Sequence, residues 1–116
     1  MQKKCLVRKN RDYCKVYNKG ISLANRHMVI FTRKNNLNIK RFGFSVSKKM
    51  GKAVRRNFIR RRFKEISRLN NNWFLNGYDY IFIARKGIDE ISYKSLENSM
   101  ENLAYRISKQ MTRKNL

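Results

Sequence analysis

The sequence predicts an α+β fold in which three helices pack on a four-stranded, mostly antiparallel sheet, in the order α-β-β-β-α-β-α. Three segments repeat apolar residues at helical spacing, and four shorter runs show the alternation or continuous apolar character of strands. The 116 residues contain no Pro, and 41% of them are hydrophobic. We therefore expect a single domain, 1–116, with its own core.

The first and last helices are indicated by their boundary residues. Asn10 is expected to cap a helix that ends at Lys19, because Gly20 follows it. Ser92 is expected to cap the last helix, and residues 112–116 are expected to fray. The apolar stripe of the last helix consists of Leu96, Met100, Leu103, Ala104, Ile107 and Met111.

Four runs have strand character, and the third is the clearest. In residues 41–47, Phe42 and Phe44 fall on one face, and Gly43 and Ser45 fall on the other, leaving a shallow surface that a helix or a ligand can approach. The run 78–85 is apolar on both faces and is expected to be central. The other two strands are expected at 21–24 and 27–33.

The middle helix is expected over residues 52–69, with one apolar and one cationic half. Arg55 and Arg62 break this division because they fall in the apolar arc, where they need acidic partners or must extend past it. The predicted apolar half contains Val54, Phe58, Ile59, Phe63, Ile66 and Leu69. The predicted cationic half contains Arg56, Asn57, Arg60, Arg61, Lys64 and Arg68.

The charge of the chain points to a polyanionic partner. The formal net charge is +22, and residues 45–68 crowd Lys and Arg against a single Glu, Glu65. A charged helix face is usually only solvated, stabilised by pairs of opposite charge one turn apart. Those pairs are almost absent here, so contact with RNA or DNA is favoured.

Several classes of function are disfavoured by composition. The chain has seven acidic residues, too few and too scattered for two-metal phosphodiester cleavage. Cys5, Cys14 and His27 supply fewer than the four ligands of a structural zinc site, so the thiols are expected to be reduced. The apolar runs are too short to span a membrane, and the first residues lack a secretory apolar core, so a cytoplasmic location without membrane association is expected.

Three aromatic side chains permit two interpretations. Tyr13 and Tyr17 lie one turn apart on the first helix, and Phe31 lies on the second strand. They can be ordinary core residues, or they can form a stacking platform for single-stranded nucleotides. Composition does not decide between these alternatives.

Four motifs resemble the bacterial ribonuclease P protein component, and together they span nearly the whole chain. The most specific is SVSKKMGKAVRRNFIRRRFK at 45–64. The others are DYCKVYNKG at 12–20, LANR at 23–26 and DYIFIARKG at 79–87. Three positions depart from the family pattern: Phe58 stands where relatives often have Arg, and Arg55 and Arg62 stand where they commonly have apolar residues.

The resemblance implies an unusual left-handed βαβ crossover through the basic helix, against the general right-handed rule. It also implies an endoribonuclease subunit that assists 5′ maturation of tRNA, with cleavage carried out by the RNA subunit. The implied partners are the catalytic RNA and the single-stranded 5′ leader of precursor tRNA, with no obligate protein partner. Mg²⁺ would be held mainly by the RNA.

The resemblance assigns three groups of residues to RNA. The helix facing the catalytic RNA would present Arg56, Asn57, Arg60, Arg61, Lys64 and Arg68; the strand–helix junction would present Ser47, Lys48 and Lys49; the leader cleft would be lined by Tyr13, Tyr17 and Phe31. The alternative functions are a ribosomal or other structural RNA-binding protein, a protein nuclease that acts alone and a generic RNA chaperone.

Overall fold

A computed structural model describes residues 1–113 of the chain. The described residues form three α-helices and one four-stranded sheet, in the predicted order. Short 3₁₀ turns precede α1 and β4, follow β3 and precede α3. The elements are α1 (Asn10–Lys19), β1 (Ile21–Ala24), β2 (Met28–Lys34), β3 (Arg41–Ser45), α2 (Ala53–Leu69), β4 (Tyr78–Ala84) and α3 (Tyr93–Arg113).

The sheet has the spatial order β1-β2-β4-β3. β1 pairs with β2 and β2 with β4 in antiparallel fashion, whereas β3 pairs with β4 in parallel. The mostly antiparallel sheet is therefore confirmed, and β4 is central as predicted. Residues of β4 are buried on both faces, with only Ile83 partly accessible.

The connection from β3 through α2 to β4 is left-handed, as the resemblance implied. The backbone carbonyl of Phe42 accepts a hydrogen bond from Val7, on the edge of β3 away from β4. The side chain of Phe42 points to the face covered by α2, where Phe44 stacks on Phe63 with ring centroids 6.0 Å apart. In a strand of L-residues, the directions of one residue's side chain and carbonyl fix the side on which the next strand lies. When the sheet is viewed from α2 with β3 pointing upward, β4 therefore lies to the left of β3. A parallel connection that moves to the left in this view is left-handed.

The two faces of the sheet are covered unequally. α2 and α3 cover one face, and the core between them contains the stacked rings of Phe44, Phe63 and Phe82, with centroids 5.6–6.1 Å apart. α1 alone covers part of the other face, where it contacts β2 and β4. Part of the second face is left accessible beside α1, where Val29, Ser45 and Ile83 are half-buried.

The predicted apolar half of α2 is wrong for three residues. Val54, Phe58 and Leu69 are 79%, 41% and 55% exposed. They lie about 80–140° around the helix from Ile59, because successive residues turn by about 100°. The buried stripe of α2 is narrower than half the helix and contains Ile59, Phe63, Ile66 and Ser67.

The predicted ends of the elements need further corrections. Asn10 is the first residue of α1 and not its cap; the capping position is Lys9, which makes no side-chain cap. The Ser92 cap is confirmed, since its Oγ accepts from the Ser95 N–H at 3.1 Å. β3 ends at Ser45, two residues earlier than predicted, because the 3₁₀ turn Lys48–Met50 follows. Residues 112 and 113 are helical rather than frayed, and 114–116 lie outside the described residues.

Candidate nucleic-acid interface

The outer face of α2 carries cations without acidic partners. Within residues 1–113, none of the salt bridges involves Arg56, Arg60, Arg61 or Lys64. Arg68 does pair, at 2.9 Å, with Glu65. Because both of these side chains are about half exposed, that pair contributes little to stability. The positive charge of this face is therefore left for a partner.

Local hydrogen bonds hold part of this face in place. Arg60 donates from Nη1 to Oδ1 of Asn57 at 3.0 Å, one helical turn away. Arg56 donates from Nε to the carbonyl of Gly51 at 3.2 Å, near the start of the helix. These bonds use neutral acceptors, so they orient the guanidinium groups without cancelling their charge.

The strand–helix junction presents its two lysines to solvent. The hydroxyl of Ser47 accepts from the Lys49 N–H at 3.2 Å, which closes the 3₁₀ turn Lys48–Met50. Gly51 follows with φ of 122°, a conformation that favours Gly. Ser47, Lys48 and Lys49 are all exposed, so the junction extends the cationic surface of α2.

Arg55 and Arg62 have partners within the chain. Arg55 pairs with Asp89 at 2.9 Å, and Arg62 donates to the carbonyl of Ile91 at 2.9 Å. Both contacts tie α2 to the segment between β4 and α3. Arg55 therefore has an acidic partner, as expected, whereas Arg62 bonds to a backbone carbonyl instead.

The aromatic side chains of the predicted leader cleft lie together on the α1 side of the sheet. The rings of Tyr17 and Phe31 meet edge to face with centroids 5.0 Å apart, and those of Tyr13 and Tyr17 are 6.1 Å apart. All three residues are partly exposed. They are therefore not simply interior core.

Close approach of α1 to β3 depends on a glycine. A Cβ atom placed on Gly43 would lie 2.7 Å from the hydroxyl oxygen of Tyr13 and 2.9 Å from its ring carbons. The small residues predicted on this face of β3 thus admit the Tyr13 ring. Burial raises the pKa of Tyr13, against the opposing effects of hydrogen bonding with the Phe44 backbone and of the charge of Arg60.

A groove of about 470 Å³ opens beside these rings, at the C-terminal end of β3. Burial also raises the pKa of Tyr17, against a hydrogen bond with Ser45, so both phenols are uncharged near neutral pH. Phe31, which the resemblance placed in the leader cleft, contacts Tyr17 but does not line this groove. The lining residues are Asn10, Tyr13, Cys14, Tyr17, Phe44, Ser45, Val46 and Arg60.

Arg60 joins the groove to the cationic face of α2. It lines the groove and also a second depression of about 450 Å³ formed by Val54, Asn57, Arg61 and Lys64. Sequence reasoning placed Arg60 on the helix only and missed Asn10 and Cys14 as lining residues. Asn10, Cys14 and Arg60 come together because α1 packs on β3 at Gly43, and the periodicity of the sequence does not reveal this contact.

A buried ion pair fixes the start of α1 against the sheet. Arg41 makes two hydrogen bonds to Asp79, at 2.8 and 2.7 Å, and lies 3.7 Å from the carboxylate of Asp12. Asn35 donates to Asp79 at 2.8 Å. The Asp79 carboxylate raises the pKa of Arg41 further above its ordinary value. Since Tyr13 follows Asp12, this network also positions the groove.

Residues 1–113 contain no cluster of three His, Cys, Asp or Glu side chains that suits a metal ion. Cys5 and Cys14 are free thiols. None of the helices in the same range combines the length and the apolar character that a membrane span requires.

Comparison with known proteins places these features in a family. The family model described as Ribonuclease P matches residues 1–108. A relative from Pelotomaculum thermopropionicum, the ribonuclease P protein component, is 42% identical over 101 residues, covering 87% of this chain and 90% of the relative.

Two solved structures share the fold. The ribonuclease P protein of Staphylococcus aureus superposes with a TM-score of 0.82 at 37% identity, covering 90% of this chain and 95% of that one. The protein from Thermotoga maritima gives a TM-score of 0.81 at 33% identity, covering 87% and 96%.

Proposed function

The chain belongs to the ribonuclease P protein family, and from this membership we propose a division of labour between its two surfaces. The cationic face of α2 and the junction bind the catalytic RNA, and the groove beside α1 binds the single-stranded 5′ leader of precursor tRNA. The RNA subunit cleaves the phosphodiester bond. The protein raises substrate affinity by neutralising phosphates of both RNAs.

The observation that carries this proposal is the free charge on α2. Arg56, Arg60, Arg61 and Lys64 lack acidic partners within residues 1–113, so folding alone does not account for them. Such a face costs self-repulsion in the isolated protein. A polyanion removes that cost, and Arg forks suit phosphate oxygens.

The proposed site for the leader follows from the groove's chemistry. Uncharged tyrosine rings stack on bases without strong sequence preference. Arg60, at the rim shared with α2, supplies a charge for the backbone of the strand. The occupant is therefore a single strand that enters beside the catalytic RNA.

Mg²⁺ is assigned mainly to the RNA in this proposal. Three of the carboxylates already have partners within the chain. Asp79 accepts hydrogen bonds from Arg41 and Asn35. Asp89 pairs with Arg55, and Glu65 pairs with Arg68. These engaged carboxylates are poorly suited to hold the reactive metal ions. The proposed location is the cytoplasm, where bacterial precursor tRNA is made.

Reconstitution tests the function. The full chain is mixed with the catalytic RNA of its source organism and a precursor tRNA bearing a short leader, at low Mg²⁺. We expect the leader to be removed only when both the protein and the catalytic RNA are present. At low Mg²⁺, the cationic side chains of the protein replace part of the Mg²⁺ that the RNAs need for assembly. Cleavage by the protein alone would instead indicate a protein nuclease. RNA binding without any stimulation would favour a ribosomal or chaperone role.

A further inference from the structure

An aromatic and cationic stack on the exposed side of α2 has no role in the function proposed above. The guanidinium carbon of Arg62 lies 5.1 Å from the centre of the Phe58 ring and 5.7 Å from that of Tyr93. We call these three residues the Phe58 platform. Phe58 is 41% exposed and Tyr93 36% exposed, so the large rings remain open to solvent.

Contacts within the chain hold Arg62 and its neighbouring segment in place. Arg62 is fixed by its hydrogen bond to the Ile91 carbonyl at 2.9 Å, which keeps the guanidinium over both rings. The neighbouring Arg55–Asp89 pair, at 2.9 Å, anchors the same segment to α2. A preformed surface of this kind loses little side-chain entropy when a ligand stacks on it.

Two shallow depressions meet at Phe58 and Arg61. One, of about 670 Å³, extends toward Val54 and Arg55; the other, of about 570 Å³, extends toward Tyr93 and contains Lys64. Both lie in the range of roughly 300–1,000 Å³ typical of sites for small organic groups. Each depression combines an aromatic wall with at least two cations.

Charge determines which occupant fits. The depressions contain five arginines and lysines besides Arg62, namely Lys52, Arg55, Arg61, Lys64 and Arg68, and two acids, Asp89 and Glu65, each already paired. A second copy of a chain with net charge +22 would bring like charge to this surface. A nucleotide brings a flat ring and a negative phosphate.

We propose that the Phe58 platform stacks an unpaired nucleobase of the catalytic RNA, with Arg61 and Lys64 binding the adjacent phosphates. This inference rests on the proposed RNA-binding role of α2 and adds a base contact to it. Duplex RNA buries its base faces, so the platform selects a bulge or a loop.

The test uses two RNA hairpins that share one stem. One carries a single bulged 2-aminopurine, and the other is fully paired. We expect the full chain to bind the bulged hairpin about tenfold more tightly, a ratio that corresponds to stacking of one base, and to change the 2-aminopurine fluorescence. F58A and F58L should lose this preference, whereas F58W should retain it. Y105A is the matched control, because it removes a 59% exposed ring of α3 that also carries a cation, Lys109, at 4.7 Å from its centre.

Two binding results would overturn the proposed base stacking at Phe58. One is equal affinity of the wild-type chain for both hairpins, and the other is an F58A variant that still prefers the bulged hairpin. If light scattering shows wild-type dimers that F58A abolishes, the surface is a protein interface and the proposal fails. Failure of the proposed function is seen separately, as absence of protein-dependent leader removal in the reconstituted enzyme while the hairpin preference persists.

Discussion

The two candidate RNA surfaces are built on opposite physical principles. The groove beside α1 is made of partly buried rings whose position is fixed by neighbours, such as Tyr13 against Gly43 and Tyr17 against Phe31. The cationic face of α2 is made of long side chains, of which Arg61 and Lys64 make no salt bridge within residues 1–113. We propose that the first recognises shape and the second recognises charge density. Salt should therefore affect them differently.

The largest expected effect comes from removing charge on α2. R56Q/R60Q/R61Q should weaken binding of the catalytic RNA on the order of a hundredfold, because three solvent-exposed phosphate contacts worth up to about 1 kcal/mol each are lost. The slope of log K against log salt should flatten by up to about 0.9 per lost contact on duplex-like RNA. Filter binding across a salt series measures both quantities.

A matched control is available on α3. R106Q/K109Q/R113Q removes the same charge from exposed positions far along the chain from α2. If both triple variants flatten the slope equally, total charge matters and the α2 face is not a specific interface.

Removal of the groove rings should have a smaller effect of a different kind. Y13A/Y17A, which removes the two rings that line the groove, should weaken binding of a short single-stranded RNA by roughly thirtyfold, since each stacked base contributes about 1–3 kcal/mol. The salt slope should stay unchanged because no charge is lost. Fluorescence anisotropy with a labelled oligonucleotide provides the measurement. Y105A, on a 59% exposed ring of α3, should leave affinity as it is.

The smallest expected effect tests the fit of α1 on β3. G43A places a methyl group where the Tyr13 ring now lies, 2.7–2.9 Å away, and the ring must shift. We expect about a fivefold loss of oligonucleotide affinity, comparable to the loss of one stacking contact, with unchanged affinity for the catalytic RNA. A parallel loss for both RNAs would show that the two surfaces are not independent.

The sequence predicted those features that depend on local pattern. The absence of acids near Arg56, Arg60 and Arg61 already indicated an unpaired cationic face. The continuous apolar run of β4 indicated a central strand, which the sheet order confirms. In both cases the deciding information lies within one element.

Features that depend on packing between elements could not be predicted from the sequence pattern. Val54 and Phe58 were assigned to the core because helical spacing gives a direction but not the width of the buried stripe. That width is set by how much of α2 the sheet and α3 cover. Arg60 at the rim of the groove depends likewise on where α1 crosses β3. The hand of the crossover came from the resemblance alone, since the general rule gives the opposite hand.

The left-handed crossover has a consequence for what the sheet can offer. With β4 placed to the left of β3, a right-handed loop would have carried α2 over the side of the sheet that holds α1. The basic helix would then lie on top of Gly43 and Ser45, and the gap next to Tyr17 would be closed. The left-handed crossover leaves the part of that face beside α1 uncovered, while the cationic face of α2 lies at its rim. In the proposed function, a single-stranded RNA bound beside Tyr17 therefore lies next to the cations of α2 and not beneath them.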